Sequence, residues 1–361
     1  DDTIYPTVSH YEKSDLDMYL DFLKQVYHSV LNLFNIEVNF KGDDSLIIEH
    51  DRLIRIFVKK VHGFKVEVKK IGGGLSSATV YSLWIYDVGG NLIHQTIAKC
   101  GQNKEIDEDS SNYDKFINRL DNRVTPRKLH YLKFGAKFQS GVFYSLATQY
   151  PYSYFESSKN NFNNVVIRKS IEDLTTNWQQ SGYIEYTNIK SIRNQLVSDE
   201  TITKLIKEFD LGWISEFEEI PIQINKGICH CDLHGENILI NMVDNCATLI
   251  DYGDIKELSL TIDPLTLECS FLFHPNGIKD NWSTIEDDIK NWNNVEKYVE
   301  NSPIKEEILF CREWLNKLKY GNREVGATLY AYALRQLKYP ETNKTIALEL
   351  ITVARKIVDE S

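Results

Sequence analysis

The sequence predicts an α+β protein whose first half is rich in β-strands and whose second half is mainly helical. Short β-rich segments fill residues 36–100, whereas apolar residues recur at helical spacing from residue 282 to the end. Within the second half, apolar runs at Asn237–Asn241 and Cys246–Ile250 flank Met242–Asn245 and predict a β-hairpin. This order indicates two lobes with a cleft between them, and clefts are typical places for small-ligand sites.

Three parts of the chain follow from this pattern. Residues 1–62 are predicted to form an N-terminal extension, residues 63–150 a β-rich lobe, and residues 151–361 a helical lobe. The sequence does not begin with Met, so residue 1 is not taken as the native start.

The extension begins with a predicted amphipathic helix at residues 14–35, with an N-cap signal at Ser14. We expect this helix to pack on the next lobe, with a protein partner as the alternative. Short strands are predicted after it, at 36–40, 46–48 and 54–58.

Composition excludes several classes of protein. Of the 361 residues, 42% are hydrophobic and 12% aromatic, which is typical of a folded chain. The net charge of -11 argues against binding of duplex nucleic acid through its phosphates. The six cysteines lack a disulfide-framework spacing, which predicts reduced thiols and a cytoplasmic location. No apolar run approaches the ~20 residues that a membrane span needs, so no membrane partner is expected.

A glycine-rich turn joins two predicted strands in the β-rich lobe. Its backbone N–H groups and hydroxyls are suited to bind phosphate, and the candidates are Gly72, Gly73, Gly74, Ser76 and Ser77. Such a turn on its own is usually only a turn. The sequence has neither G-x-x-x-x-G-K-[ST] nor G-x-G-x-x-G opening a helix, which argues against P-loop and dinucleotide-binding folds.

Lys99 lies near the end of the third predicted strand and can supply a cation to phosphates. The helix that follows starts with four acids, one of which is a candidate partner for Lys99. Acids in a first helical turn also complement the helix dipole, which alone would explain all four. They are Glu105, Asp107, Glu108 and Asp109.

The predicted hairpin should bring Asp232, Asn237 and Asp251 together at one rim, because the ends of its two arms are adjacent. Asn237 and Asp251 offer the hard oxygen ligands that Mg²⁺ prefers, and Asp232 is left as a general base. Together with a phosphate-binding turn and a lysine, these are the parts that phosphoryl transfer requires. Each of the three side chains alone is more simply a turn or cap residue.

These motifs resemble the aminoglycoside phosphotransferase and choline kinase branch of the protein-kinase-like superfamily. That branch has H-G-D-L-H-x-x-N-I-L followed by I-D-F/W-G-D. This chain has HCDLHGENIL at residues 230–239 and IDYGD at 250–254. The resemblance covers residues from about Phe64 onward and implies a bilobal kinase-like fold. Segments 72–80, 98–99 and 333–340 also resemble the bacterial "ternary complex associated" phosphotransferase-like domains of conflict systems.

The resemblance implies a role for each matched residue. Asp232 would be the catalytic base, and Asn237 and Asp251 would bind Mg²⁺. Lys99 would contact the nucleotide phosphates and pair with an acid, with Asp109 preferred over Glu105 and Glu108. The two histidines of the loop would brace it: His230 and His234. Two departures from the pattern are Cys231, where the family has a small residue, and Tyr252, where it has Phe or Trp.

The cluster Cys229, His230, Cys231 and His234 suggests zinc as an alternative, but structural zinc sites usually use C-x₂₋₄-C pairs with a second pair at a distance. A zinc site is therefore not expected here. Asp254, Asp263 and Glu268 are interpreted as structural residues without a catalytic role.

The function predicted is transfer of the γ-phosphoryl group of ATP or GTP, with Mg²⁺, to a hydroxyl of a small molecule or protein in a bacterial defence or toxin-like system. Residues 260–313 carry eleven acids against five bases, which would suit a cationic acceptor such as an aminoglycoside or simply form a solvated face. Two alternatives stay open. One is a nucleotidyltransferase that passes AMP to a protein, and the other is a pseudokinase that senses nucleotide within an assembly.

Overall fold

The computed structural model describes residues 16–42, 45–71, 78–117, 120, 125–145, 150–277 and 281–361, apart from four side chains of the first helix. The chain divides into two compact units. Unit 1 comprises the described residues up to Asp107 together with Lys128–Ser145. Unit 2 comprises those of Glu108–Arg127 and everything from residue 146 onward.

Unit 1 is built on a six-stranded sheet. Its strands are β1 (Glu37–Lys41), β2 (Lys65–Ile71), β3 (Thr79–Tyr86), β4 (Leu92–Gln102), β5 (Arg127–Ala136) and β6 (Gln139–Ser145). Their order in the sheet is β1-β2-β3-β4-β6-β5. β1 runs parallel to β2, whereas the β2–β3, β3–β4 and β4–β6 pairs are antiparallel.

The helix α2 (Ile48–Lys60) connects the parallel strands β1 and β2 and corrects the strands predicted at 46–48 and 54–58. Its buried residues Leu53, Ile54, Phe57 and Val58 follow the i, i+1, i+4, i+5 spacing of a helical face, so the β-branched composition was misleading. Parallel neighbours also require a crossover, which a helix usually supplies. The ring of Phe57 stacks on Phe143 of β6 at 4.0 Å, which fixes α2 against the sheet.

The helix α1 (Leu16–Phe34) is present as predicted. Leu33 packs against the core of unit 1. The apolar side chains from Leu16 to Phe34 that are described as exposed keep between 39% and 70% of their surface accessible. Packing of the rest of this helix on the next lobe stays a prediction. A protein partner at α1 stays a prediction.

Unit 2 contains two small sheets that frame its loops. The first has the order β11-β10-β7, formed by β7 (Tyr152–Ser153), β10 (Ile238–Asn241) and β11 (Cys246–Leu249). The second has the order β12-β9-β8, formed by β8 (Tyr183–Asn188), β9 (Pro221–Cys229) and β12 (Lys256–Ser259). The predicted hairpin is β10–β11, and its strands pair from Ile238 with Leu249 to Asn241 with Cys246.

The remaining helices lie mainly in unit 2, and α3 is divided between the units at residue 107. They are α3 (Asn103–Phe116), α4 (Tyr154–Lys159), α5 (Val165–Gln179), α6 (Ile189–Asn194), α7 (Asp199–Phe209), α8 (Ile214–Phe217), α9 (Ile262–Phe273), α10 (Ile285–Asp288), α11 (Val295–Tyr298), α12 (Lys305–Leu318), α13 (Asn322–Leu337) and α14 (Lys344–Glu360).

Two sequence interpretations of unit 2 need correction. Apolar residues at helical spacing over 282–295 predict one helix, but α10, a 3₁₀ turn at Ile289–Asn291 and the start of α11 divide that segment. The apolar run Val165-Val166-Ile167 predicts three core residues, yet Val165 and Val166 remain 73% and 59% exposed at the start of α5, and of the three only Ile167 is buried. The predicted α+β class is confirmed, with a sheet-based unit 1 and a mainly helical unit 2.

Candidate active site

The candidate site is formed by two loops of unit 2 that begin and end at paired strands. β9 ends at Cys229 and leads into residues 230–237, and β11 leads into residues 250–255 before β12 begins. Lys256 of β12 pairs with Cys229 of β9. The hairpin β10–β11 therefore holds one end of both loops, and the β9–β12 pair holds the other.

The structure brings Asp232, Asn237 and Asp251 together at the rim of the hairpin. The Ile250 N–H donates to the Asn237 carbonyl at 3.0 Å, which extends the pairing of Ile238 with Leu249 by one residue. Asp251 therefore follows directly after the partner of Asn237. The Asn237 amide Nδ2 donates to the Asp232 carbonyl at 2.8 Å, which ties the loop back onto the hairpin.

Asn237 is oriented so that its amide oxygen is suited to a metal. Because Nδ2 donates to the Asp232 carbonyl, the amide oxygen Oδ1 lies on the other side of the amide group. No described residue donates a hydrogen bond to Oδ1. An amide oxygen and a carboxylate fit Mg²⁺, which usually takes one or two protein ligands and completes its shell with water and phosphate oxygens. Asn237 and Asp251 therefore fit a magnesium site.

The described residues contain no group of three or more His, Cys, Asp or Glu side chains arranged to hold a metal ion. Cys229 and Cys231, from the alternative zinc cluster, are buried free thiols. Burial raises the pKa of the Cys229 thiol well above its ordinary value.

Asp232 has one carboxylate oxygen fixed and one without a hydrogen bond to the described residues. Arg335 of α13 donates through Nη2 to Oδ1 at 3.0 Å. His234 Nε2 lies 3.7 Å from Oδ2, which is beyond hydrogen-bond distance. The Asp232 side chain is 27% exposed, so an acceptor can approach it.

The two histidines predicted to brace the loop are both held by polar contacts. His230 is fully buried, and its Nε2 contacts the Ile250 carbonyl at 3.0 Å, which links the two loops. His234 precedes the 3₁₀ turn Gly235–Asn237, and its Nδ1 accepts the Glu236 N–H at 3.2 Å. Burial lowers the pKa of His234, and the nearby Asp232 carboxylate only partly opposes this. A neutral imidazole suits the bond, because Nδ1 must be unprotonated to accept.

Asp263 of α9 holds the backbone of the residues before Asp232. It is 3% exposed, and its carboxylate oxygens accept the His230 and Cys231 N–H groups, each at 2.9 Å. Cys231 adopts φ +62°, a left-handed conformation that costs about 1–3 kcal/mol in a non-glycine residue. The two bonds that Asp263 accepts stabilise that conformation.

The loop after the hairpin is fixed by α3, within the part of that helix that belongs to unit 2. Asp251 also has a left-handed φ, +65°. Directly after it, the Tyr252 N–H donates to Asp109 Oδ2 at 3.1 Å. Asn112 Nδ2 donates to the carbonyls of Tyr252 and Gly253 at 3.1 and 2.9 Å. These bonds hold the backbone immediately after Asp251.

The departure at Tyr252 is accommodated because the buried hydroxyl donates to the Leu249 carbonyl. The ring also makes an edge contact with Tyr113 at 5.9 Å. The ring is therefore buried against its neighbours, and its hydroxyl has a partner.

The predicted nucleotide-binding residues belong mostly to unit 1. Lys99 is 4% exposed on β4, between Val80 of β3 and Val142 of β6. The candidates of the glycine-rich turn lie outside the described residues: Gly72, Gly73, Gly74, Ser76 and Ser77. Which acid pairs with Lys99 stays a prediction, although Asp109 is fully buried and Glu108 is exposed.

Three residues of this site were not predicted from the sequence: Asp263, Asn112 and Arg335. A usable signal existed for two of them, because Asp263 and Arg335 are charged residues next to apolar runs of mainly buried helices. A charge in such a helix requires a partner, since burying it unpaired is costly. Asn112 carries no comparable signal.

No protein-family model matches the sequence, and no curated protein matches it. Solved structures similar to the chain include a thermostable mutant of aminoglycoside phosphotransferase APH(4)-Ia in a ternary complex with AMP-PNP and hygromycin B. It is 10% identical, with 85% of this chain and 96% of that chain covered and a TM-score of 0.42. Choline kinase LicA from Streptococcus pneumoniae is 12% identical, with 85% and 99% covered and a TM-score of 0.37. Ethanolamine kinase from Plasmodium vivax is 12% identical, with 80% and 82% covered and a TM-score of 0.37. Similarities at this level do not assign a function, which has to be inferred from the residues of the site.

Proposed function

We propose that the chain is a magnesium-dependent phosphotransferase that moves the γ-phosphoryl group of ATP or GTP to a hydroxyl group. The observation that carries this proposal is the arrangement at the hairpin rim. Asn237 and Asp251 are adjacent across the strand ends, and the Asn237 amide binds the backbone of Asp232. An amide oxygen, a carboxylate and a second, accessible carboxylate are the parts needed for metal binding and for proton removal.

In this proposal Asp232 accepts the proton of the attacking hydroxyl at Oδ2. Support comes from its partial exposure and from the fixed position of its other oxygen. Asn237 and Asp251 would hold Mg²⁺, which supplies charge neutralisation for the transferred phosphoryl group. His230 and His234 hold the loop in place beside the hairpin. The neutral state of His234 preserves its bond to the Glu236 N–H.

For the nucleotide, Lys99 and residues 72–77 are proposed as phosphate-binding groups on the strength of the sequence pattern. The proposal for Lys99 is tested by replacing it with Met, which should weaken nucleotide binding. The acceptor class, a protein contact through α1, a cytoplasmic location and a bacterial defence setting stay predictions. No helix in the described part of the chain has the length and apolar character needed to cross a membrane.

The test is incubation of the protein with Mg²⁺, host lysate and ATP or GTP labelled at either the γ- or the α-phosphate. We expect label to be transferred from the γ-position, and Asp232→Asn to abolish the transfer. A matched control is Asp244→Asn, which changes an exposed acid at the far end of the same hairpin and should transfer normally. Transfer from the α-position would instead support the nucleotidyltransferase. Binding of Mg-ATP without turnover would support the pseudokinase.

A further inference from the structure

We propose that Arg335 is a positioning residue for the base Asp232. Its guanidinium group fixes one carboxylate oxygen and the backbone before it, so that the other oxygen is left to accept the proton of the acceptor. The inference rests on the phosphotransferase function proposed above and adds a residue, about a hundred positions away in the sequence, to its machinery.

The first argument is the geometry of the guanidinium group. Nη2 of Arg335 donates to Asp232 Oδ1 at 3.0 Å, and Nη1 donates to the Cys231 carbonyl at 3.3 Å. One rigid planar group therefore binds both a side chain and the backbone immediately before it. A lysine cannot reproduce this, because an ammonium group is a point donor on a flexible chain.

The second argument is the strain at Cys231. Asp263 accepts the N–H of this residue, and Arg335 donates to its carbonyl. Cys231, with its left-handed φ of +62°, is therefore held at its N–H by Asp263 of α9 and at its carbonyl by Arg335 of α13. A strained backbone conformation persists only where the surrounding contacts hold it in place. The conformation of Cys231 in turn sets the direction in which the Asp232 side chain leaves the backbone.

The third argument is the location of Arg335 on α13. The residues on both sides of it are buried, while its own side chain keeps 17% exposure and reaches the loop. Burial by itself lowers the pKa of Arg335, and the attraction of Asp232, Tyr339 and Asp254 together outweighs this and raises it. The arginine is therefore a permanent cation paired with the base, and neither burial nor pH removes its charge.

Arg312 provides a matched comparison elsewhere in unit 2. Its Nη2 donates to Glu268 Oε1 at 2.9 Å, and its side chain is 12% exposed, close to the value for Arg335. Arg312 also stacks over the ring of Trp292 at 3.4 Å. None of its described contacts involves the two loops of the site, so it represents a buried arginine whose role is only structural.

The experiment measures Mg-ATP affinity and the rate of ATP hydrolysis, with water as the acceptor, for the wild type, Arg335→Ala, Arg335→Lys and Arg312→Ala. We expect Arg335→Ala to bind Mg-ATP as the wild type does and to lose about 100-fold in kcat, the size of effect that a misplaced catalytic group produces. Arg335→Lys should show an intermediate loss. Millimolar guanidinium ion should restore part of the kcat of Arg335→Ala, because it can occupy the space of the missing group. It should not change the kcat of Arg312→Ala.

Three outcomes would overturn the inference. The first is a kcat of Arg335→Ala equal to that of Arg312→Ala in preparations with matched melting temperatures. The second is an increase in kcat, which would make Arg335 a blocking group. The third is a loss confined to Mg-ATP affinity. If Arg335→Ala does not fold, Arg335→Lys decides the question, since a wild-type kcat there would contradict a need for the planar group. A wild type without turnover, or an Asp232→Asn variant with full turnover, would instead remove the phosphotransferase proposal and this inference with it.

Discussion

Replacing Asp263 with Asn removes one of two hydrogen bonds without changing the size of the side chain. In the wild type, Oδ2 accepts the His230 N–H and Oδ1 accepts the Cys231 N–H. In asparagine, one of these two oxygens is kept as an acceptor and the other is replaced by an N–H₂ donor. One backbone N–H would therefore lose its acceptor and face an N–H₂ group inside the protein.

The magnitude follows from the contacts of the carboxylate. A hydrogen bond to a charged group contributes about 1.5–3 kcal/mol, and an unsatisfied buried donor costs a similar amount. Burial raises the pKa of Asp263, so the ionised carboxylate is itself disfavoured there, and neutral Asn removes that cost. We therefore expect a net loss of about 2 kcal/mol, or about 4–8 °C in melting temperature for a unit of this size.

The same change should lower kcat, because the left-handed conformation of Cys231 loses part of its support and the base moves. Thermal unfolding and Mg-ATP hydrolysis measure the two effects. The control is Asp288→Asn in a second buried acid. Trp282 and Thr284 both donate to its Oδ2, so one amide oxygen can serve both, and Oδ1 accepts only a longer bond of 3.3 Å from Asn301. Asp288→Asn should be milder and leave kcat unchanged. Equal stability and activity for Asp263→Asn and the wild type would refute the proposed role of Asp263.

Three further changes test other parts of the site. Cys231→Gly should be more stable than Cys231→Ala by about 1 kcal/mol in thermal unfolding, because only glycine adopts φ +62° without a steric cost; equal stabilities would argue against strain at this residue. Because burial lowers the pKa of His234 in the folded protein, the unfolded chain binds a proton more readily than the folded chain once the pH drops below about 6.5. The resulting acid destabilisation should be smaller in His234→Asn, where the amide oxygen keeps the bond to the Glu236 N–H, and identical unfolding profiles against pH would contradict it. Asp251→Asn should raise the Mg²⁺ concentration needed for half-maximal ATP hydrolysis, and an unchanged titration would remove Asp251 from the metal site.

The hairpin could be predicted closely because its signals are local. Its arms were expected at Asn237–Asn241 and Cys246–Ile250, and the strands are Ile238–Asn241 and Cys246–Leu249 around the same four-residue turn. Two short apolar runs and a polar turn specify a hairpin without reference to the rest of the chain. The residues at its rim are then placed by the pairing of the strands.

Residues 54–58 could not be predicted in the same way. A short apolar run of branched residues fits a strand or one face of a buried helix equally well. What decides between them is the parallel pairing of β1 with β2, which requires a crossover and lies outside the segment itself. The contacts of Asp263 and Arg335 with the loop are beyond sequence reasoning for a similar reason, since each joins residues more than thirty positions apart.

Asp109 shows how such long-range contacts change the interpretation of a motif. Its position on the helix after Lys99 favoured a role beside the nucleotide. The structure gives Asp109 a second role, because Oδ2 of Asp109 accepts the N–H of Tyr252, the residue after Asp251. Helices α3, α9 and α13, which are far apart in the sequence, thus supply the groups that hold the two loops, through Asp109, Asp263 and Arg335 respectively. The side chains proposed to react can be found in one short stretch, but their orientation depends on charged residues that no local pattern connects to it.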